Sequence, residues 1–171
     1  YLGIAFAEKD VRLRLAGVTA PILLLDATNE DHMDDVIRHS LMPTVFTVET
    51  LSLLQAHAAK LNMVCRVHIK VDTGMNRIGF TSEAEFMEAI LLLKSCKNLA
   101  LDGLFTHFAV SELPDPSFTR LQADRFRRYI AIARETGLQP ILHASNSAAA
   151  LHLPDTQFDM VRGGIAMYGC N

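Results

Sequence analysis

Lys70, Asp72 and Arg77 stand close together in the chain, and the pattern around them decides what chemistry they can do. Residues 65, 67, 69 and 71 are Cys, Val, Ile and Val, whereas 66, 68, 70 and 72 are Arg, His, Lys and Asp. Such alternation marks a β-strand, because successive side chains leave a strand on opposite faces. On a half-solvated sheet the polar set would be the wet face. In a sheet covered on both sides these charges must be paired or used. Three further sets follow apolar runs: Thr106-His107, Asn146-Ser147, and Arg162-Gly163-Gly164-Ile165. Asn146-Ser147 can present a hydroxyl and helix-start amides, and Gly164-Ile165 can bring bare backbone N–H groups close to an oxyanion. Each set also has a plainer reading. His107 alone would be a satisfied core histidine, Asn146-Ser147 a helix N-cap, and Gly163-Gly164 a turn.

The elements that must position these residues alternate along the chain. Strand patterns fall at Leu2–Phe6, Pro21–Asp26, Pro43–Phe46, residues 64–72, Leu101–Phe108, Pro140–Ala144 and Phe158–Arg162. Helical periodicity separates most of them. A helix at Ala7–Ala16 is closed by Gly17, and a polar one lies around Asp31–His39. Val48–Leu61 carries Leu51, Leu54, Ala58 and Leu61 at helical spacing, which makes one apolar face. Ser82-Glu-Ala-Glu85 is a capping box opening a helix to about Cys96. Ser117–Thr136 offers Phe118, Leu121, Phe126, Ile130 and Ile132 for a core stripe, and Gly137 stops it. Regular βα alternation argues for a parallel sheet with helical cover, either doubly wound or a (β/α)8 barrel. Parallel strands are almost always buried on both faces, so the wet-face reading of residues 66–72 loses most of its weight. A barrel needs eight strands, one more than these patterns supply. The four polar sets then all sit at strand C-terminal ends, where barrel active sites lie. The last two occupy the customary phosphate position after strands seven and eight.

Composition narrows the field without deciding it. Half of the 171 residues are apolar, a fifth are charged, and the net charge is −3. Nothing there calls for nucleic acid or an anionic membrane as partner. Cys65, Cys96 and Cys170 are odd in number and far apart, as expected of reduced thiols in a cytoplasmic chain. No apolar run is long enough to span a bilayer. His143 and His152 lack a recognisable metal-ligand spacing, so no metal is expected. There is no nucleotide-binding glycine motif, which leaves a small phosphorylated cofactor or substrate.

Four segments, Lys70-Val-Asp-Thr-Gly-Met-Asn-Arg-Ile-Gly79, Leu104-Phe-Thr-His-Phe-Ala109, His143-Ala-Ser-Asn-Ser-Ala-Ala149 and Phe158-Asp-Met-Val-Arg-Gly-Gly-Ile-Ala-Met-Tyr-Gly169, resemble the bacterial alanine racemases in type and order. The resemblance covers essentially the whole chain. It implies that residues 1–171 are part of a pyridoxal 5′-phosphate-binding (β/α)8 barrel, strands two to eight. The first strand and the β-rich C-terminal domain would be absent. It further implies interconversion of L- and D-alanine for peptidoglycan, in a cytoplasmic homodimer. By the same resemblance, Arg162 would hydrogen-bond the cofactor's pyridine nitrogen and His107 would pack against its ring. Ser147, Gly164 and Ile165, with Asn146 beside them, would hold the phosphate. Arg77 would face the phenolic oxygen and the substrate carboxylate, and Lys70 would be a carbamylated lysine holding Arg77. Two positions depart from the pattern: Gly163 replaces the usual proline, and Asn76 a frequent but variable glycine. The Schiff-base lysine motif and the catalytic tyrosine of the partner subunit are not found in this sequence, so the 171 residues alone are expected to be inactive. A serine or broad-specificity racemase, and a non-catalytic barrel that binds the cofactor, are the alternative readings.

Overall fold

A computed structural model describes residues 1–4 and 7–169, with the backbone alone at 7–10. In chain order the elements are β1 (Leu2–Ile4), α1 (Ala7–Leu15), β2 (Ile22–Leu24), α2 (Glu30–Arg38), β3 (Thr44–Val45) and α3 (Val48–Leu61). They continue with β4 (Cys65–Lys70), α4 (Glu83–Ser95), β5 (Leu99–Phe105), α5 (Ser117–Glu135), β6 (Ile141–His143) and α6 (Ser147–His152), then two 3-10 turns at Pro154–Thr156 and Ile165–Tyr168. The chain forms two compact units: Tyr1–Ile69 with Glu88–Asp102, and Lys70–Met87 with Gly103–Asn171. Both are α/β, and the strand pairings recorded among the described residues are parallel. The expected strand Leu2–Phe6 is found as β1, and its last two positions, Ala5 and Phe6, lie outside the described residues. Among the described residues no helix is long and apolar enough to cross a membrane.

In the first unit β1 pairs with β2, Leu2 opposite Ile22. Thr44 and Val45 of β3 pair with His68 and Ile69 of β4. The Cys65 N–H donates to the Asn98 carbonyl at 2.9 Å, which sets β4 beside the start of β5. Ile22, Leu24, Val36 and Leu41 form a buried cluster, with Ile4, Val11, Leu13 and Val18 packed on it. The Thr47 hydroxyl caps α3 by accepting from the Thr50 amide at 3.1 Å. Leu51, Leu54 and Ala58 are the buried face of that helix, as their spacing predicts. The polar face of β4 is turned inward: His68 is fully buried and only Arg66 reaches solvent. Asp102 meets this face, taking bonds from Arg66 Nε and the Tyr1 hydroxyl at 2.9 Å each, with His68 Nε2 at 3.1 Å. Arg66 and His68 are therefore paired structurally.

In the second unit Gly103, Leu104 and Phe105 pair with Ile141, Leu142 and His143. The Val71 N–H donates to the Phe105 carbonyl at 2.9 Å, just past the end of β4. The strand expected at Phe158–Arg162 does not form. Only an isolated bridge links His143 to Met160. The reason is local. Phe158 adopts a left-handed φ of 54°, and the Asp159 and Met160 amides both turn to the Leu142 carbonyl. The Asp159 carboxylate then takes the Leu142 N–H at 2.8 Å, so a side chain satisfies the donor that a ladder would have used.

The core stripe of α5 also differs from the expected one. Thr119, Gln122, Ala123, Phe126, Tyr129, Ile130 and Ala133 are buried, whereas Phe118 and Leu121 are 37% and 44% exposed. Two polar residues hold inward positions, and the helix is rotated accordingly. Phe126 meets the Phe158 ring edge to face, with centroids 5.1 Å apart.

Candidate functional site

The loop leaving β4 is organised by one carboxylate. Asp72 Oδ1 accepts from the Gly74 and Met75 amides at 2.8 Å each, and Oδ2 from the Arg77 amide at 2.9 Å. Burial works to raise the Asp72 pKa, but the loop amides outweigh it and hold the group below the usual carboxylate range. The loop then returns to its origin. The Asp72 N–H donates to the Phe80 carbonyl at 2.8 Å, and the Phe80 N–H to the Lys70 carbonyl at 3.0 Å. Gly79 makes this return possible. Its φ is +133°, and a Cβ there would stand 2.5 Å from the Asp72 nitrogen and 2.6 Å from the Val71 carbonyl carbon.

Lys70 closes β4 at 1% exposure. Its ammonium donates to the Ile78 carbonyl and lies 5.9 Å from the centroid of the Phe105 ring. Burial lowers its pKa to about 8; Arg77 and Arg162 lower it too, and Asp72 opposes them. The Arg77 side chain itself is exposed.

Arg162 is the centre of the second group. Its Nη1 donates to His143 Nδ1 at 2.7 Å. Its Nη2 reaches the Thr106 and Ala144 carbonyls at 2.8 Å each and His107 Nδ1 at 3.1 Å. The guanidinium carbon lies 5.2 Å from the Phe105 centroid, and Phe105 stacks on His143 at 4.6 Å. A guanidinium has donors only, so both histidines must accept through Nδ1 and carry their proton on Nε2. Burial, then Arg162, Arg77 and Lys70, lower the His107 pKa to about 4. Burial likewise lowers Arg162, to about 10, which leaves it charged at neutral pH. The result is a neutral histidine pair against a fixed cation.

At the start of α6 the two expected residues divide their work. Asn146 caps the helix, its Oδ1 accepting from the Ala149 amide at 3.1 Å and from the Ser111 hydroxyl at 2.7 Å. Its plainer reading as an N-cap is what the structure shows. The Ser147 hydroxyl instead accepts from the Gly164 amide at 2.9 Å and the Ala166 amide at 3.3 Å. A hydroxyl and two main-chain donors thus converge at one point, beside the exposed Ile165. The second unit therefore holds every expected site residue: Lys70, Arg77, His107, Asn146, Ser147, Arg162, Gly164 and Ile165. His143, whose spacing suggests no metal set, instead stands beside Arg162, a place its sequence spacing does not indicate. The signal available was a histidine on a strand buried on both faces.

A family model described as "Alanine racemase, N-terminal domain" matches residues 1–171. The alanine racemase of Desulfovibrio desulfuricans is 40% identical over 170 residues, which is 99% of this chain and 46% of that protein. The solved alanine racemase of Clostridium difficile 630 superimposes with a TM-score of 0.93 at 34% identity, covering 98% of this chain and 47% of its own. A histidine racemase from Leuconostoc mesenteroides gives a TM-score of 0.91 at 26% identity, covering 99% and 45% respectively. The chain spans less than half the length of these relatives.

Proposed function

The chain belongs to the alanine racemase N-terminal domain family, and on that premise we propose that it is the cofactor-binding part of a pyridoxal 5′-phosphate-dependent amino-acid racemase. The whole protein would interconvert L- and D-alanine, supply D-alanine for peptidoglycan, and work as a cytoplasmic homodimer. The part represented here would be strands two to seven of a (β/α)8 barrel, with residues 158–162 at the place of the eighth.

The observation that carries this reading is Arg162. It is a half-buried cation ringed by carbonyls and neutral imidazoles, with no carboxylate among its recorded hydrogen-bond partners. Such a donor-only group suits an acceptor nitrogen on a planar ring. It also leaves that nitrogen largely unprotonated, because a guanidinium gives up its proton so reluctantly. Pyridoxal phosphate, when bound, supplies an electron sink for the carbanion left by α-proton removal. Limiting the sink in this way favours proton return over side transamination. The Ser147 hydroxyl suits a phosphate: its oxygen accepts from the Gly164 and Ala166 amides, which orient it and leave its own proton to donate. His107, kept neutral, offers a ring face without adding charge. Lys70, if carbamylated, turns from a cation into an anion able to hold Arg77.

The test is to add pyridoxal phosphate and L-alanine to the full-length protein and follow D-alanine formation. Absence of racemisation by a cofactor-loaded protein would overturn the reading. The 171 residues by themselves are expected to bind the cofactor without turnover, and borohydride should not fix it to them. The likeness to a histidine racemase supports a second reading, in which the same machinery serves another or a broader set of side chains. A panel of L-amino acids, serine and histidine included, separates the two.

A further inference from the structure

Gln122 lies on α5, well away in sequence from every residue assigned above, and is fully buried. Its Oε1 accepts from the Ala109 amide at 2.9 Å, while its Nε2 donates to the His107 carbonyl at 3.1 Å. The Nε2 also approaches the Thr73 hydroxyl at 3.4 Å, and that hydroxyl lies 2.8 Å from the Thr106 hydroxyl. The side-chain amide thus does for residues 107 and 109 what a neighbouring strand would do, in a segment that has left β5 and has no strand partner among the described residues. Arg125, one turn along the helix, donates to the Thr73 carbonyl at 2.9 Å. Without this brace the His107 carbonyl and the Ala109 amide, both partly buried, would lose these partners.

We propose that Gln122 is a positioning residue for His107: its two-point grip on the main chain holds the imidazole where Nδ1 faces Arg162. The consequence for function rests on the cofactor reading above. The geometric claim does not. Upstream, Thr106 is fixed by its own N–H to the His143 carbonyl at 3.2 Å and by Arg162 on its carbonyl. Downstream of that residue, Gln122 supplies the bonds recorded to the His107 carbonyl and the Ala109 amide. A helix side chain therefore sets the aim of a ring it does not touch, and that aim keeps Nδ1 where Arg162 fixes the tautomer.

Gln122→Met in the full-length protein keeps the volume and removes both hydrogen-bonding atoms. Gln122→Glu keeps the acceptor for Ala109 and sets a carboxylate against the His107 carbonyl. Long-range proton–nitrogen spectra of the imidazole, taken with and without pyridoxal phosphate, read the tautomer directly. The unmodified protein should show one His107 tautomer, with the proton on Nε2, and either variant should mix the two. Loss of one aimed hydrogen bond should weaken cofactor binding about tenfold. That loss should vanish in a His107→Phe background, as expected of residues acting as a unit. An unmoved tautomer in a folded variant would overturn the proposal, and so would a cofactor-binding loss that persists without His107. Spectra without cofactor decide the geometry alone, so failure of the racemase reading would be seen separately as absent cofactor binding.

Discussion

Replacing Lys70 by methionine should stabilise this protein at neutral pH, an unusual expectation for removal of a charged residue beside a candidate site. Lys70 is 1% exposed, and its pKa falls from an ordinary 10.5 to about 8. The amine therefore binds its proton more tightly unfolded than folded. A difference of about 2.5 pH units corresponds to roughly 3 kcal/mol of destabilisation wherever both states are protonated. The cost is full below pH 8 and fades as pH rises through 10.5, where both states are neutral. Methionine fills a similar volume without charge, but it leaves the Ile78 carbonyl without its donor, at a cost of about 1 kcal/mol. The net gain is about 2 kcal/mol at pH 7, turning to a loss of about 1 kcal/mol above pH 10.5. Paired urea titrations of the two proteins across that range measure it. Carbon dioxide must be excluded, because only neutral amine carbamylates, and the depressed pKa raises the neutral fraction at pH 7 from about 1 in 3,000 to about 1 in 11. A variant less stable than the parent at pH 7, or a difference that does not change with pH, would refute the reasoning.

Gly79→Ala should cost more than about 2 kcal/mol, since positive-φ strain adds to a clash with backbone that cannot move aside; chemical denaturation reads it. Phe126→Ala should cost about 3–5 kcal/mol, and Leu121→Ala less than about 1 kcal/mol, if the buried stripe of α5 is as described. His107 should stay neutral well below pH 6 in an imidazole titration by NMR, because burial and the nearby cations lower its pKa to about 4. Its folded pKa lies below its unfolded one, so its contribution to stability is lost as pH falls from about 6.5 toward 4, and His107→Phe should flatten that slope.

The fold was most legible where one physical signal acted alone. Val48–Leu61 has an apolar period and a threonine cap, and the helix occupies those residues. Alternation in residues 65–72 identified β4 and the inward set His68, Lys70 and Asp72. It failed where polar side chains took positions that apolar ones usually hold. In α5 the burial of Thr119 and Gln122 moved Phe118 and Leu121 outward, which no count of apolar residues anticipates. At 158–162 the apolar run looked like a strand, but the Asp159 carboxylate replaced a ladder bond. The residues singled out by motif all lie in the second unit, whereas His143 and Gln122 act through long-range contacts. Nothing in their spacing points to Arg162 or His107.

The clip between Lys70, Asp72 and Phe80 has a consequence for how this segment can change. A loop tied at its neck by two amide bonds, and pinned within by Asp72, has its ends fixed whatever its exposed tip contains. The side chain of Asn76 is exposed and that of Met75 half-exposed, and neither supplies the neck bonds. Substitution there alters what the loop presents while leaving its location intact. That makes the tip a place where the exposed surface can change at little cost to folding, provided the residue at 76 tolerates a left-handed φ of 57°, as asparagine, aspartate and glycine do.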